Sequence, residues 1–321
     1  MLNNKFTYER FYKLKAKQFK NAFVEKQNIF GVYPQNVLSG EEWSFADIKG
    51  LLLKTKIENG SQRLEDVEGV NIYRGVTTGY NPAFIISDEQ KNKLVAEDFK
   101  NKDVIKNMLQ GRNIRKWFYN ESDENLIFTR RGFEIDNYQT LRRYLLQFQL
   151  YLTPKENYDD DFGRKPGLYK WFEILDNTAY YKEFEQSEKI IWGLTADKWA
   201  FALDTEQHYL PSNGYILTSK TIPTKYILGL LNSKLLQHYF GYIGIMTAGG
   251  AYTLKAATIS SLPFKIINDK SKVITLVDNI LRSKNEDRNA DISKLEVELN
   301  SLVYAIYELS EEEITTIETM M

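Results

Sequence analysis

The chain has 321 residues, 43% of them hydrophobic and 26% charged, a balance that suits one or two domains with a real core and excludes a disordered segment. It contains no cysteine, which removes disulfides, thiolate zinc sites and thiol nucleophiles together and fits a cytoplasmic location. The net charge of −1 is unevenly spread: residues 285–321 carry ten acidic and two basic side chains, so residues 1–284 are left at +7, enough to bind phosphates if the cations gather on one face.

Residues 1–30 are lysine-rich, with Phe6, Phe11, Leu14, Phe19 and Phe23 at helix-like spacing, and predict a helix or linker that leads in to the body. They show no apolar signal-peptide core, and no run in the chain approaches the ~20 apolar residues of a membrane span. A helix is expected over 43–59, with Ser44 as its cap and Gly60 as its stop. A strand at Val70–Tyr73, the loop Arg74–Pro82 and a second strand at Ala83–Ile86 follow. Residues 88–109 read as helical or irregular connection. A strand over Asn125–Phe128 leads into the Thr129–Gly132 turn, and a helix over Tyr138–Leu152 presents Leu141, Leu145, Phe148 and Leu152 on one side.

Residues 154–170 form a long loop, of the kind that usually carries function. Strands are expected at 189–193, 199–203 and 214–218, then a helix from Thr224 to Phe240, a turn at Gly249-Gly250 and an extended piece at Ser261–Phe264. Two amphipathic helices, 271–284 and 290–308, are separated by the polar stretch 285–289 and predict an antiparallel hairpin followed by an acidic tail. The expected organisation is therefore a lead-in (1–42), a body (43–268) and a hairpin with its tail (269–321).

Several strings carry a resemblance when taken in order. They are Tyr73–Phe84, Leu109–Trp117, Ile127–Tyr138, Gly163–Ile174, Lys189–Trp192, Leu228–Lys234 and Ser261–Phe264. Together they resemble the TaqI-like C-terminal specificity domain of type IIG restriction–modification enzymes and adenine-specific DNA methyltransferases, over about Trp43 to Leu309. The resemblance implies an α+β fold: an irregular, twisted-sheet DNA-recognition body followed by a C-terminal antiparallel α-hairpin. It implies double-stranded DNA as partner, with methyltransferase and nuclease domains in cis or on a partner subunit. S-adenosylmethionine and a divalent metal are implied for those catalytic domains, and no cofactor for this chain.

The residues themselves offer no catalytic motif. Asn81-Pro82-Ala83-Phe84 is one residue away from the Asn/Asp-Pro-Pro-aromatic tetrad of an amino-methyltransferase, but the second proline is replaced and no glycine-rich donor turn precedes it; a turn held by Pro82 is the expected reading. Asp88, Glu89 and Lys91 match a nuclease site only crudely. Asp159, Asp160 and Asp161 suit a solvated acidic loop better than a metal cluster. The only histidines, His208 and His238, show neither triad nor ligand spacing, so no metal site is expected.

Arginine, lysine and small polar groups at turns are the natural contacts to phosphates and base edges. Arg164 and Lys165, in a Gly/Pro-bounded loop without evident packing duty, are the leading candidates, with Lys170 behind them. Arg130 and Arg131 suit DNA contact or a structural ion pair equally. Arg74, Thr77, Thr78 and Asn81 line a second loop. Arg112, Arg115 and Lys116 form a basic cluster or a solvated turn, Arg142 and Arg143 a polar helix face, and Trp171 and Trp192 belong to the core. The rival function is a docking module in which the hairpin and acidic tail bind a separate methyltransferase subunit.

Overall fold

The computed structural model describes residues 5–10, 29–34, 48–176, 179–246 and 250–319. Strands β1 (Lys5–Arg10) and β2 (Ile29–Pro34) form an antiparallel pair in which Lys5 faces Pro34. Residues 5–10 and 29–34 are therefore extended rather than helical; the remaining residues of the expected lead-in, and the Ser44 cap, lie outside the described residues. Helix α1 (Ile48–Glu58) ends before Gly60, whose φ of 69° supplies the expected stop. Then come β3 (Gln62–Arg63), β4 (Val70–Arg74), the one-turn helix α2 (Asn81–Phe84), β5 (Ile85–Ser87), α3 (Asp88–Glu97), α4 (Asn101–Val104), β6 (Ile105–Asn107) and β7 (Glu124–Ile127).

The helix expected over 138–152 is two pieces, α5 (Gln139–Leu146) and α6 (Gln149–Leu152), because Phe148 leaves the helical region at φ −109° and ψ 7°. Strands β8 (Lys189–Gly193), β9 (Thr195–Ala196), β10 (Ala202–Asp204) and β11 (Gly214–Ser219) follow. The expected helix 224–240 is also divided, into α7 (Thr224–Leu231) and α8 (Lys234–Ile243). At the break, the Asn232 amide exchanges two hydrogen bonds with the Phe201 backbone, and the Ser233 hydroxyl accepts the Leu236 N–H as a new cap. The chain continues through β12 (Ile245–Met246), β13 (Tyr252–Thr253), α9 (Ala256–Ser260) and β14 (Pro263–Phe264) to α10 (Ser271–Glu286), α11 (Ser293–Ile306) and α12 (Glu311–Thr319).

The fold is α+β. Its centre is an antiparallel sheet of order β10-β8-β11-β4. Alternation along the strands feeds two cores. Ile190, Trp192, Tyr215 and Leu217 face one, shared with α7, α8 and the C-terminal helices; Ile191, Ile216 and Ala202 face the other, built on the small sheet β5-β7-β6. Helices α7 and α10 approach so closely that a Cβ at Gly229 would lie 2.9 Å from Val273 and 3.0 Å from Val277. The two-residue strands β3 and β14 pair and bring the start of the body to its end.

The expected hairpin is α10 and α11, with the apolar face of α10 centred on Val273, Val277 and Ile280. The stretch expected as a free acidic tail is instead helix α12. Its Ile317 is fully buried, and its acids pair with lysines of the body: Glu312 with Lys49 at 2.7 Å, Glu313 with Lys56 at 2.6 Å, and Glu318 with Lys234. Three carboxylates that read as surplus charge in the sequence are docking contacts.

Candidate nucleic-acid interface

After β7 the chain makes the turn Thr129–Gly132, in which the Phe133 N–H donates to the Arg130 carbonyl. This turn is fastened to the segment 172–175. The Thr129 hydroxyl donates to the Phe172 carbonyl, the Thr129 carbonyl accepts the Ile174 N–H, and Arg131 donates to the carbonyls of Ile174 and Leu175. Glu173 is the hinge of the arrangement. One of its carboxylate oxygens accepts the Gly132 N–H at 3.0 Å; the other accepts the Lys170 N–H at 2.9 Å and lies 3.9 Å from Arg131. A buried carboxylate so placed couples the 129–132 turn to the 163–170 loop.

Arg164, the leading candidate from sequence, is not at the surface. It is 3% exposed and acts as a bolt: Nε donates to the Leu152 carbonyl, one terminal nitrogen to Thr78 and Glu173, the other to Trp171. Burial pushes its guanidinium down to about 10, with Tyr169 and Glu173 opposing and Arg131 adding to the fall, so it stays charged at neutral pH. Its ring partners are Tyr169, 4.5 Å away, and Phe84 at 5.5 Å. Arg131 is committed in the same way to backbone carbonyls.

The remaining candidates separate by location. Thr78 is buried and donates its hydroxyl to the Asn81 side-chain oxygen at 2.6 Å, so the two occupy each other; Thr77 is half-buried beside them. Arg74 is exposed, its Nε held by the Ser212 carbonyl. Arg112 pairs with Glu124 at 2.7 Å, and Arg115 donates to the carbonyls of Arg112 and Ile114. Lys116 is drawn away to the C-terminal hairpin, where Glu296 accepts from it and from the Trp117 indole, each at 2.7 Å. Arg112, Arg115 and Lys116 thus serve a junction and are not gathered with the others.

Three further cations, half-buried Arg130 and exposed Lys165 and Lys170, sit on the two segments that Glu173 joins. Arg130 packs over the Tyr181 ring, its guanidinium carbon 3.9 Å from the ring centroid. Lys165 and Lys170 are exposed on the 163–170 loop, and between them Leu168 projects with 102% exposure. Gly132, at φ 81° with open space where a Cβ would lie, keeps the turn low beside Arg130. Arg130 and Arg131 also open onto a cleft of about 430 Å3, bordered by Lys106, Phe133, Tyr138 and Tyr181. Stacking platforms and acceptors beside cations are the groups that bind and read nucleic acid. Sequence reasoning missed Glu173, Tyr181 and Leu168; the Tyr180-Tyr181 doublet before a buried strand was the available signal for the platform.

The residues of the near-tetrad are engaged in packing and in local hydrogen bonds. Phe84 is fully buried beneath Arg164 and Asn81 is taken by Thr78. Asp88 accepts from the Asn125 amide and Lys91 donates to Asn107 and Asn125, which ties two of the three nuclease-like residues to the sheet. Asp160 accepts the N–H groups of Glu156 and Asn157 and shapes its own loop.

The α+β body carries exposed Lys165 and Lys170 on the 163–170 loop. Residues 106–264 match the TaqI-like C-terminal specificity domain. The matched segment contains Arg130, Lys165, Lys170, Glu173 and Tyr181. The fold is similar to that of the type IIL restriction–modification enzyme MmeI, solved in complex with DNA, at TM-score 0.56 and 14% identity over 80% of this chain and 35% of that one. The type IIG restriction endonuclease BpuSI is also similar, at 13% identity over 83% of this chain and 34% of its own, with a TM-score of 0.40. This chain spans about a third of the length of either enzyme. No curated protein sequence matches it. Among the described residues no helix is long and apolar enough to cross a membrane.

Proposed function

We propose that this chain is the DNA target-recognition part of a restriction–modification enzyme, choosing the site at which methyltransferase and nuclease domains outside it act. The observation that carries the reading is that the specificity-domain match, residues 106–264, covers both loops that Glu173 joins and that carry Arg130, Lys165 and Lys170. In this reading Lys165 and Lys170 contact phosphates. Arg130, pre-oriented by Tyr181, reaches a base edge, where an arginine fork suits the O6 and N7 of guanine. Arg74, Thr77, Asn81 and Arg115 are peripheral phosphate contacts at most. S-adenosylmethionine and a divalent metal belong to the catalytic domains, and adenine extrusion would take place there while this module holds the duplex.

The docking-module alternative needs a free acidic surface at the C-terminus. Glu312, Glu313 and Glu318 are spent on Lys49, Lys56 and Lys234, which favours DNA recognition over it. Fluorescence anisotropy with a random duplex pool at two salt concentrations tests the choice. Binding that weakens steeply as salt rises supports the proposal, and no binding at low salt supports docking.

A further inference from the structure

The structure also brings together three side chains that no spacing in the chain announces. Glu121, from the segment before β7, meets Glu206 and His208, from the turn after β10, with one potential ligand atom of each within 4.8 Å of the others. The histidine makes this more than a pair of surface acids. His208 is 4% exposed, and its Nδ1 is bonded to the Asp204 carboxylate at 2.9 Å. Asp204 is itself fixed: it takes the Lys189 ammonium in a fully buried ion pair, and accepts the backbone N–H groups of Glu206 and His208. A carboxylate at Nδ1 places the proton there and leaves the Nε2 lone pair pointing outward.

That Nε2 has no hydrogen-bond partner among the described residues. The Glu206 carboxylate lies 4.0 Å from it, beyond hydrogen-bond reach. The ring nitrogen thus lies beside two carboxylates with no protein group bonded to it among the described residues. Tetrahedral zinc, with bonds of about 2.0–2.2 Å, needs ligand atoms roughly 3.4 Å apart. Glu206 and Glu121 are exposed side chains, free to close from their present separations by rotamer changes. The Asp204–His208 pair is the carboxylate–histidine support that metal-bound histidines generally have.

We propose that His208, Glu206 and Glu121 form a binding site for a divalent ion of the zinc class, with water completing its coordination. An imidazole and two carboxylates suit zinc or cobalt better than calcium or magnesium, which favour all-oxygen sets. The ion would clip the 119–123 segment onto the 204–208 turn, and so hold the β5-β7-β6 layer against the central sheet. It would displace only the long, exposed contact of 4.0 Å between Glu121 and Arg288.

The test uses the full chain, chelator-treated and free of any affinity tag. Cobalt(II) is titrated with visible absorption as the readout, zinc is then added in competition, and thermal unfolding is followed with and without zinc. The comparison protein carries Glu121→Gln and Glu206→Gln, both on exposed side chains and so compatible with folding. The expected result is one cobalt per chain with the intense bands of tetrahedral coordination, displaced by zinc. The double variant should bind at least tenfold more weakly, and zinc should raise the unfolding midpoint of the native chain only. No cobalt spectrum, or equal affinity and equal zinc stabilisation in both proteins, overturns the assignment.

Discussion

Arg164 donates to the carbonyls of Leu152, Thr78, Glu173 and Trp171, and its removal strands them in the interior. Arg164→Ala should cost about 3 kcal/mol in urea unfolding, the scale of a buried charged hydrogen-bonding hub; a loss below about 1 kcal/mol would show that the bolt is not structural. Arg130→Ala, Lys165→Ala and Lys170→Ala should each change stability by less than about 0.5 kcal/mol, and the two lysine substitutions should each reduce the salt-dependence slope of DNA binding by about one. Stability and salt slope together separate the bolts from the contacts, which residue type alone does not. Asp204 provides a pH signature. Burial alone would raise its carboxyl, but the His208 hydrogen bond and the Lys189 ammonium outweigh it and hold the group at about 2. Its folded value is therefore depressed, so its stabilisation is full above the ordinary value of 3.8 and is lost as pH falls from there through about 2. Asp204→Asn leaves the Lys189 charge buried without its partner and should cost about 3–5 kcal/mol at neutral pH, measured by denaturant unfolding; a neutral substitution would contradict the buried ion pair.

Helix α12 joins the molecule through one buried apolar side chain and several exposed ion pairs, and physical chemistry ranks these differently. Ile317→Ala should cost about 2–4 kcal/mol, whereas Glu312→Lys should cost less than about 1 kcal/mol and less still in high salt, both read from thermal or urea melts. If charge reversal at Glu312 were the more damaging change, the packing account of this helix would fail. The helix also marks how far the sequence could be read. Periodicity placed α10 and α11 well, because long amphipathic runs carry a strong signal, and the buried strand β8 stood out as an apolar run. The composition of 310–319 favoured a solvated tail, because nothing local reveals Lys49, Lys56 and Lys234 waiting across the chain. The breaks at Phe148 and Asn232 were hidden for a similar reason: Asn232 ends its helix to serve the Phe201 backbone, a partner 31 residues away in sequence.

Across the whole molecule, the central sheet carries two cores on its two faces, and the loops that present Arg130, Lys165 and Lys170 hang from the second of them. Ordered strings along the chain made the family legible, because each string contains turn residues that the fold requires at fixed places. The individual contacts were less legible. The Gly163–Gly167 loop has the composition of a surface finger, yet Arg164 turns inward to a carbonyl 86 residues back, while its neighbour Lys165 stays out. Position in a loop predicts the backbone path, and only tertiary partners decide which side chain points to solvent. The central claim is sequence-specific recognition of duplex DNA, and it is tested most directly by selecting bound duplexes from a random pool with the native chain and sequencing them, alongside a chain carrying Arg130→Ala, Lys165→Ala and Lys170→Ala. The account predicts an enriched motif with the native chain, and loss of both retention and motif with the triple variant. Equal enrichment by the two proteins, or no retained DNA at low salt, would contradict it.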